Sequence, residues 1–317
     1  MGGLNSLYRD QPVRLPGGKI GVITRPTVEP AEPRPLVLAL NTGVVHRVGH
    51  GRMYVTLARR LAAKGHTVLR FDLSGIGDSE KRTDALSSFD GGLADIGEVM
   101  DWLENAKPNT PVVMIGLCSG AQNSLVHGGS DPRVDGVVLL DPFIPRTSRF
   151  YVNLYMRKAA RNAFNPSAWS GLGRQLLSAL GQRLRRRPEK EVEIAQAGDE
   201  AQDEGFQQRI EDASVRNQIE RAFKTAIDRR LKMLMVLTGG MPLQHNYRRQ
   251  LSDAFPQLRF GDLLKLEYWG DTDHVFSHRE DRERLFGRIE SWLDELRPAA
   301  VHTQEAAPDQ YEAARAT

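Results

Sequence analysis

The sequence predicts an α/β fold: a mostly parallel central sheet with helices on both faces, interrupted by a helical cap insertion. Three observations predict it. Short apolar runs at 36–40, 67–71, 112–117 and 134–140 alternate with segments of helical periodicity. The alternation breaks from about Pro145 to Arg230, where the chain is charged and helical, and resumes at Leu231. Finally, the run from Val112 to Ala121 drives an apolar strand into Gly116-Leu117-Cys118-Ser119-Gly120, and small, helix-compatible residues follow.

Each element has its own signal. Val13 to Arg25 reads as a hairpin around Pro16-Gly17-Gly18. Leu36 to Leu40 is continuously apolar, as a strand covered on both faces requires. A glycine-bearing loop follows, then a helix from about Met53 to Lys64, stopped by Gly65. Thr67 to Phe71 is the next strand and ends in the glycine-rich turn Asp72 to Ser79, which Asp72 and Asp78 brace. Ile96, Val99, Met100 and Leu103 mark an amphipathic helix. After the insertion come a strand at 231–238, a helix at about 247–254, a strand at 264–269 and a last helix from about Arg279 to Leu296. The expected organisation is a core in two parts, 1–144 and 231–297, a cap at 145–230 between them, and a disordered tail at 298–317.

Composition sets the outer limits. The chain of 317 residues, 40% hydrophobic, is long enough to bury a full core. Its single cysteine excludes an internal disulfide and a cysteine-rich zinc site, and no cofactor is expected. No apolar run suits a signal peptide or a membrane span, so a cytoplasmic protein without membrane contact is the expectation. A net charge of +3 is too mild to indicate nucleic acid.

The chemistry centres on the Gly-x-Cys-x-Gly segment. It has the form of a nucleophile elbow, a strand that turns sharply into a helix and lifts one side chain out at the bend. Glycines two before and two after that residue are needed because the turn leaves no room for side chains. Cys118 is therefore the expected nucleophile; Ser119, or a buried structural thiol, is the alternative. A base must accompany it. His274, in Trp269-Gly270-Asp271-Thr272-Asp273-His274, lies between the last strand and the last helix and is the expected base. His46 and His50, after the third strand, line the pocket or face solvent.

The acid is less direct. The stretch after the penultimate strand, Leu237 to Asn246, contains no carboxylate. Asp141 closes the strand next to the elbow and is the expected acid, with Asp273 and Asp271 as alternatives. The oxyanion hole needs two N–H donors: Ser119, at the positive end of the following helix, and Val44, with Val45 close behind, from the loop Asn41 to Val45.

These residues resemble the α/β-hydrolase superfamily over about residues 13 to 296. The stretches Arg47 to Arg59, Val68 to Asp72 and Gly75 to Ser79 are similar to the serine aminopeptidase-like hydrolases. The nearest branch accompanies exopolysaccharide and exosortase systems and tolerates Gly-Leu-Cys-Ser-Gly at the elbow. The resemblance implies Cys118 as nucleophile, His274 as base, and Ser119 and Val44 as oxyanion donors; the missing acid after the penultimate strand departs from the usual pattern. The expected activity is hydrolysis or transfer of an acyl group from a thioester through an acyl-enzyme. A carboxylester or lactone hydrolase is the alternative, and a catalytically idle binding protein is a second. The Arg183 to Arg187 run is a solvated helix face or a docking patch for an acidic acyl carrier protein.

Overall fold

The computed structural model describes residues 7–163, 213–240 and 244–296. Strands β1 (Tyr8–Leu15) and β2 (Lys19–Pro26) form the hairpin, longer at both ends than the sequence pattern suggests. Strand β3 (Leu36–Leu40) leads through a loop to helix α1 (Met53–Ala63) and strand β4 (Val68–Phe71). Helix α2 (Ser88–Ala106) begins at Ser87, whose hydroxyl oxygen accepts the Asp90 N–H and supplies the missing partner of the first turn. Strand β5 (Val112–Leu117), helix α3 (Ser119–Ser130) and strand β6 (Val134–Leu140) follow. After helices α4 (Ser148–Ala163) and α5 (Ala213–Asp228) come strand β7 (Lys232–Thr238), the short helix α6 (Gln250–Ala254), strand β8 (Leu264–Trp269) and helix α7 (Arg279–Glu295).

The eight strands make one sheet in the order β1-β2-β4-β3-β5-β6-β7-β8. β1 and β2 pair antiparallel, as do β2 and β4, and every pairing from β4 to β8 is parallel. Period-two alternation sorts the strand side chains between two cores. Leu36, Leu38 and Leu40 face α2, α3 and α5, together with Ile96, Met100, Leu125 and Phe223. Val37 and Ala39 face α1 and α7, together with Leu57, Leu61, Ile289 and Trp292. The sheet is thus covered on both sides, which explains why its central strands are continuously apolar.

Two differences from the sequence pattern have physical causes. Helix α5 falls in the segment expected to form the cap, yet its Ile219, Ala222, Phe223 and Ala226 lie in the main core beside α3. Its charged outer face disguises that buried stripe. Residues 247–249 form a turn rather than the first turn of α6, with the Tyr247 hydroxyl drawn to Thr147 Oγ1 at 2.5 Å. Most of the expected cap, including Arg183 to Arg187, and the whole of the expected tail at 298–317 lie outside the described residues. No helix among the described residues is long and apolar enough to cross a membrane.

Candidate active site

The elbow is built by close backbone approach. A Cβ on Gly116 would lie 2.1 Å from the Gly120 backbone, and one on Gly120 would lie 2.4 Å from the Asn41 carbonyl oxygen. Both positions therefore need glycine. Between them Cys118 takes φ 56° and ψ −116°, a conformation a non-glycine residue adopts only when its surroundings impose it. Its own N–H donates to the Leu140 carbonyl at 2.9 Å, which ties the bend to the end of β6. The thiol is half-buried.

Asp141 is the next residue. Its φ is 44°, and its N–H donates to Val236 on β7. The carboxylate is fully buried and accepts three hydrogen bonds. Thr238 gives it a backbone N–H and a hydroxyl, each at 2.6 Å, and His274 Nδ1 lies 2.8 Å from Oδ2. Burial alone would raise this carboxyl; the hydrogen bond from His274, the nearby imidazoles and Thr238 outweigh it and hold it low.

His274 lies on the loop after β8. Burial disfavours its charged form, but the hydrogen bond to Asp141, the neighbouring Cys118 and the charges of both push it up to about 9. The loop is shaped by Asp273, whose carboxylate accepts the Val275 and Ser277 N–H groups and the Ser277 hydroxyl. Asp273 is thereby turned onto its own loop, while Asp271 is exposed. The Phe276 ring, at φ 52°, anchors the loop edge-to-face on Trp269, 6.1 Å between centroids.

The loop after β3 forms the other wall. Thr42 and Val45 close a tight turn, the Val45 N–H donating to the Thr42 carbonyl at 2.9 Å. This removes Val45 from the two oxyanion donors considered. The Val44 side chain is 90% exposed. The neighbouring Gly43 N–H donates to Ser119 Oγ at 2.7 Å, fastening the loop to the start of α3. Asn41 carries the loop on the buried Asp72, which also accepts the Arg47 guanidinium. His50 is lowered by burial and by the charge of His274, so it stands on the same side of the site. His46 is exposed.

Several residues of the site carry no signal in the sequence. Thr238 is one. His245, fully buried, is another, with its Nδ1 3.7 Å from Asp141 Oδ1. Tyr54, on α1, is buried near Thr42, Leu117 and Cys118; burial pushes its hydroxyl up to about 12, so it stays a neutral phenol. Among the described residues no cluster of His, Cys, Asp and Glu could hold a metal ion.

This strand order, with a sharp bend after β5 and an imidazole after β8, defines an α/β hydrolase. Residues 37–203 match the serine aminopeptidase S33 family, and the chain belongs to that family of hydrolases. A cysteine stands at its elbow where the family name implies serine. No curated protein matches the sequence. Among solved structures, an esterase of Pyrococcus furiosus is similar at a TM-score of 0.53 and 14% identity, over 92% of this chain and 93% of that one. A putative dienelactone hydrolase of Klebsiella pneumoniae is similar at 0.53 and 13%, over 91% and 99%. An α/β serine hydrolase without a lid from Xanthomonas campestris is similar at 0.51 and 15%, over 93% and 97%. At these identities the likeness is one of fold.

Proposed function

We propose that the protein is a cysteine-dependent acyl hydrolase or acyltransferase, with Cys118 as nucleophile, His274 as base and Asp141 as the orienting acid. One observation carries the reading: the His274 ring bonds the buried Asp141 carboxylate at 2.8 Å through Nδ1, and Cys118 lies near enough to help raise its titration. With Nδ1 held by the acid, Nε2 is the nitrogen left for sulfur.

In this reading the Cys118 thiolate attacks the acyl carbonyl carbon and forms a C–S bond. The displaced electron pair moves onto oxygen, held by the Ser119 and Val44 N–H groups and the positive end of α3. Collapse breaks the bond to the leaving group, which takes a proton from His274. Water, an amine or a carbon nucleophile then gives a proton to His274, attacks the thioester and releases Cys118 as thiolate.

A thioester is the favoured substrate because its transfer to a cysteine exchanges one thioester for another, a nearly isoenergetic step. An oxygen ester must be converted uphill. Carrier docking at Arg183 to Arg187 belongs to this reading. A carboxylester or lactone is the second reading, favoured by the esterase and the putative dienelactone hydrolase among the similar structures.

The test pairs a thioester and an oxygen ester of one acyl chain, with acid quenching and intact mass measurement. The expected result is a higher kcat/KM for the thioester, an acyl adduct on Cys118 and loss of both in Cys118→Ala. Faster turnover of the oxygen ester selects the second reading. Undiminished turnover by Cys118→Ala removes the cysteine mechanism. A binding protein would turn over neither substrate, and iodoacetamide labelling of its Cys118 would ignore His274→Ala.

A further inference from the structure

Asp141 touches two imidazoles, and only one has a part in the chemistry above. His245 is fully buried in the loop after β7. Its Nε2 lies 2.9 Å from the Pro142 carbonyl oxygen, which can only accept, so Nε2 carries the proton. Nδ1 has no hydrogen-bond partner and lies 3.7 Å from Asp141 Oδ1. The charged and titratable groups that face the ring are Asp141, at the end of β6, and His274, on the loop after β8. Burial, partly countered by Asp141 and reinforced by His274, lowers His245 to about 4. At neutral pH the ring is uncharged and its Nδ1 is a bare lone pair.

The surrounding loop is built to hold this ring. Gln244 donates to the Asp141 carbonyl at 3.2 Å, Gln250 to the Gln244 carbonyl at 2.8 Å, and Asn246 to the Phe150 carbonyl at 2.9 Å. These buried amides fasten the loop to both sides of the Asp141-Pro142 turn. That turn needs fastening, because Asp141 has a positive φ.

We propose that His245 is a positioning residue acting through Asp141. Its Nε2–H pins the Asp141-Pro142 turn, while its bare Nδ1 covers Oδ1 without donating to it, so that the carboxylate's charge is directed at His274. A neutral imidazole suits both tasks. It fills the space, donates on one side only and keeps water from the carboxylate. The proposal rests on the Cys118–His274–Asp141 reading and goes beyond it.

Two substitutions test these tasks, one keeping the Pro142 bond and the other removing it. His245→Gln keeps an N–H able to reach the Pro142 carbonyl. His245→Asn is too short for that bond and sets an amide N–H2 beside Oδ1. The readouts are kcat, KM and the titration of the His274 ring by 15N NMR. His245→Gln is expected to keep kcat and the His274 midpoint near those of the unsubstituted protein. His245→Asn is expected to lower the midpoint by about one pH unit. Its kcat should fall on the order of 100-fold with KM little changed. If His245→Asn does not fold, His245→Met, which fills the space without donating and loses only the Pro142 bond, should show a smaller fall in kcat with the His274 midpoint little moved; undiminished kcat in it overturns the proposal. An unmoved His274 midpoint with unchanged kcat, or equal losses in Gln and Asn, overturns the proposal. A His274 ring with no alkaline-shifted midpoint in the unsubstituted protein, or full turnover by His274→Ala, instead removes the triad reading on which it rests.

Discussion

Ser119 Oγ accepts the Gly43 N–H at 2.7 Å, joining the residue after the elbow to the loop that faces it. The bond fixes where the following Val44 N–H can point. Outright loss of an oxyanion donor costs about 100- to 1,000-fold, so loosening one should cost less, about 10-fold in kcat. Ser119→Ala is expected to show that fall with KM unchanged in steady-state kinetics. Equal kcat in the two proteins would mean that the loop keeps its place unaided.

The three carboxylates considered for the acid have different surroundings. Asp141 faces His274, Asp273 faces its own loop, and Asp271 is exposed. Asp141→Asn should lower acyl transfer at least about 100-fold, because the imidazole loses both its orientation and its counter-charge. Asp273→Asn should lower it much less. The reverse ranking, measured on one thioester, refutes the role proposed for Asp141.

Stability should fall on both sides of neutrality. His274 is held at about 9, above its unfolded value, so the folded state retains a proton there that the unfolded chain has lost. Its contribution is complete below the unfolded value of about 6.5 and disappears as pH rises through 9. His245, lowered to about 4, acts oppositely: its neutral burial opposes folding more and more as pH drops from about 6.5 to 4. Thermal melting against pH should therefore lose its alkaline slope in His274→Gln and part of its acid slope in His245→Gln. Unchanged slopes in both variants would contradict these shifts.

The elbow glycines admit a direct stability test. The Cβ of Gly116→Ala would meet the Gly120 backbone, which no side-chain rotation can relieve. Overpacking of this kind costs about 1–3 kcal/mol, and against fixed backbone the upper end is expected. Denaturant unfolding measures it; a loss below about 1 kcal/mol would show that the bend can open.

Carrier docking is testable although the arginine run lies outside the described residues. Replacing Arg185, Arg186 and Arg187 with Ala should raise KM for a carrier-bound thioester and leave a free thioester of the same acyl chain unaffected. An unchanged KM for the carrier-bound substrate excludes docking at this run.

The sheet and the elbow were legible in the sequence because their causes are local. Continuous apolar runs mark strands buried on both faces, and the glycines around Cys118 record a clash only a few residues long. His274 could be located because it follows the last strand. The support of Asp141 was not legible. Thr238 meets it across 97 residues, and the Pro142–His245 contact spans 103, so both depend on how β6 and β7 align. Helix α5 escaped for another reason: one buried stripe within a charged segment looks like a solvated helix until α3 is beside it. The Val45 N–H was lost as an oxyanion donor through a turn bond that composition does not foretell.

The Cys118 N–H bonded to Leu140 places the bend and the buried acid on adjoining strands, and both precede residue 145 in the chain. Additions or deletions between Ala163 and Ala213 leave the spacing from Cys118 to Asp141 untouched. That stretch can therefore change in length and composition over generations while the bend and the carboxylate beside it keep their register.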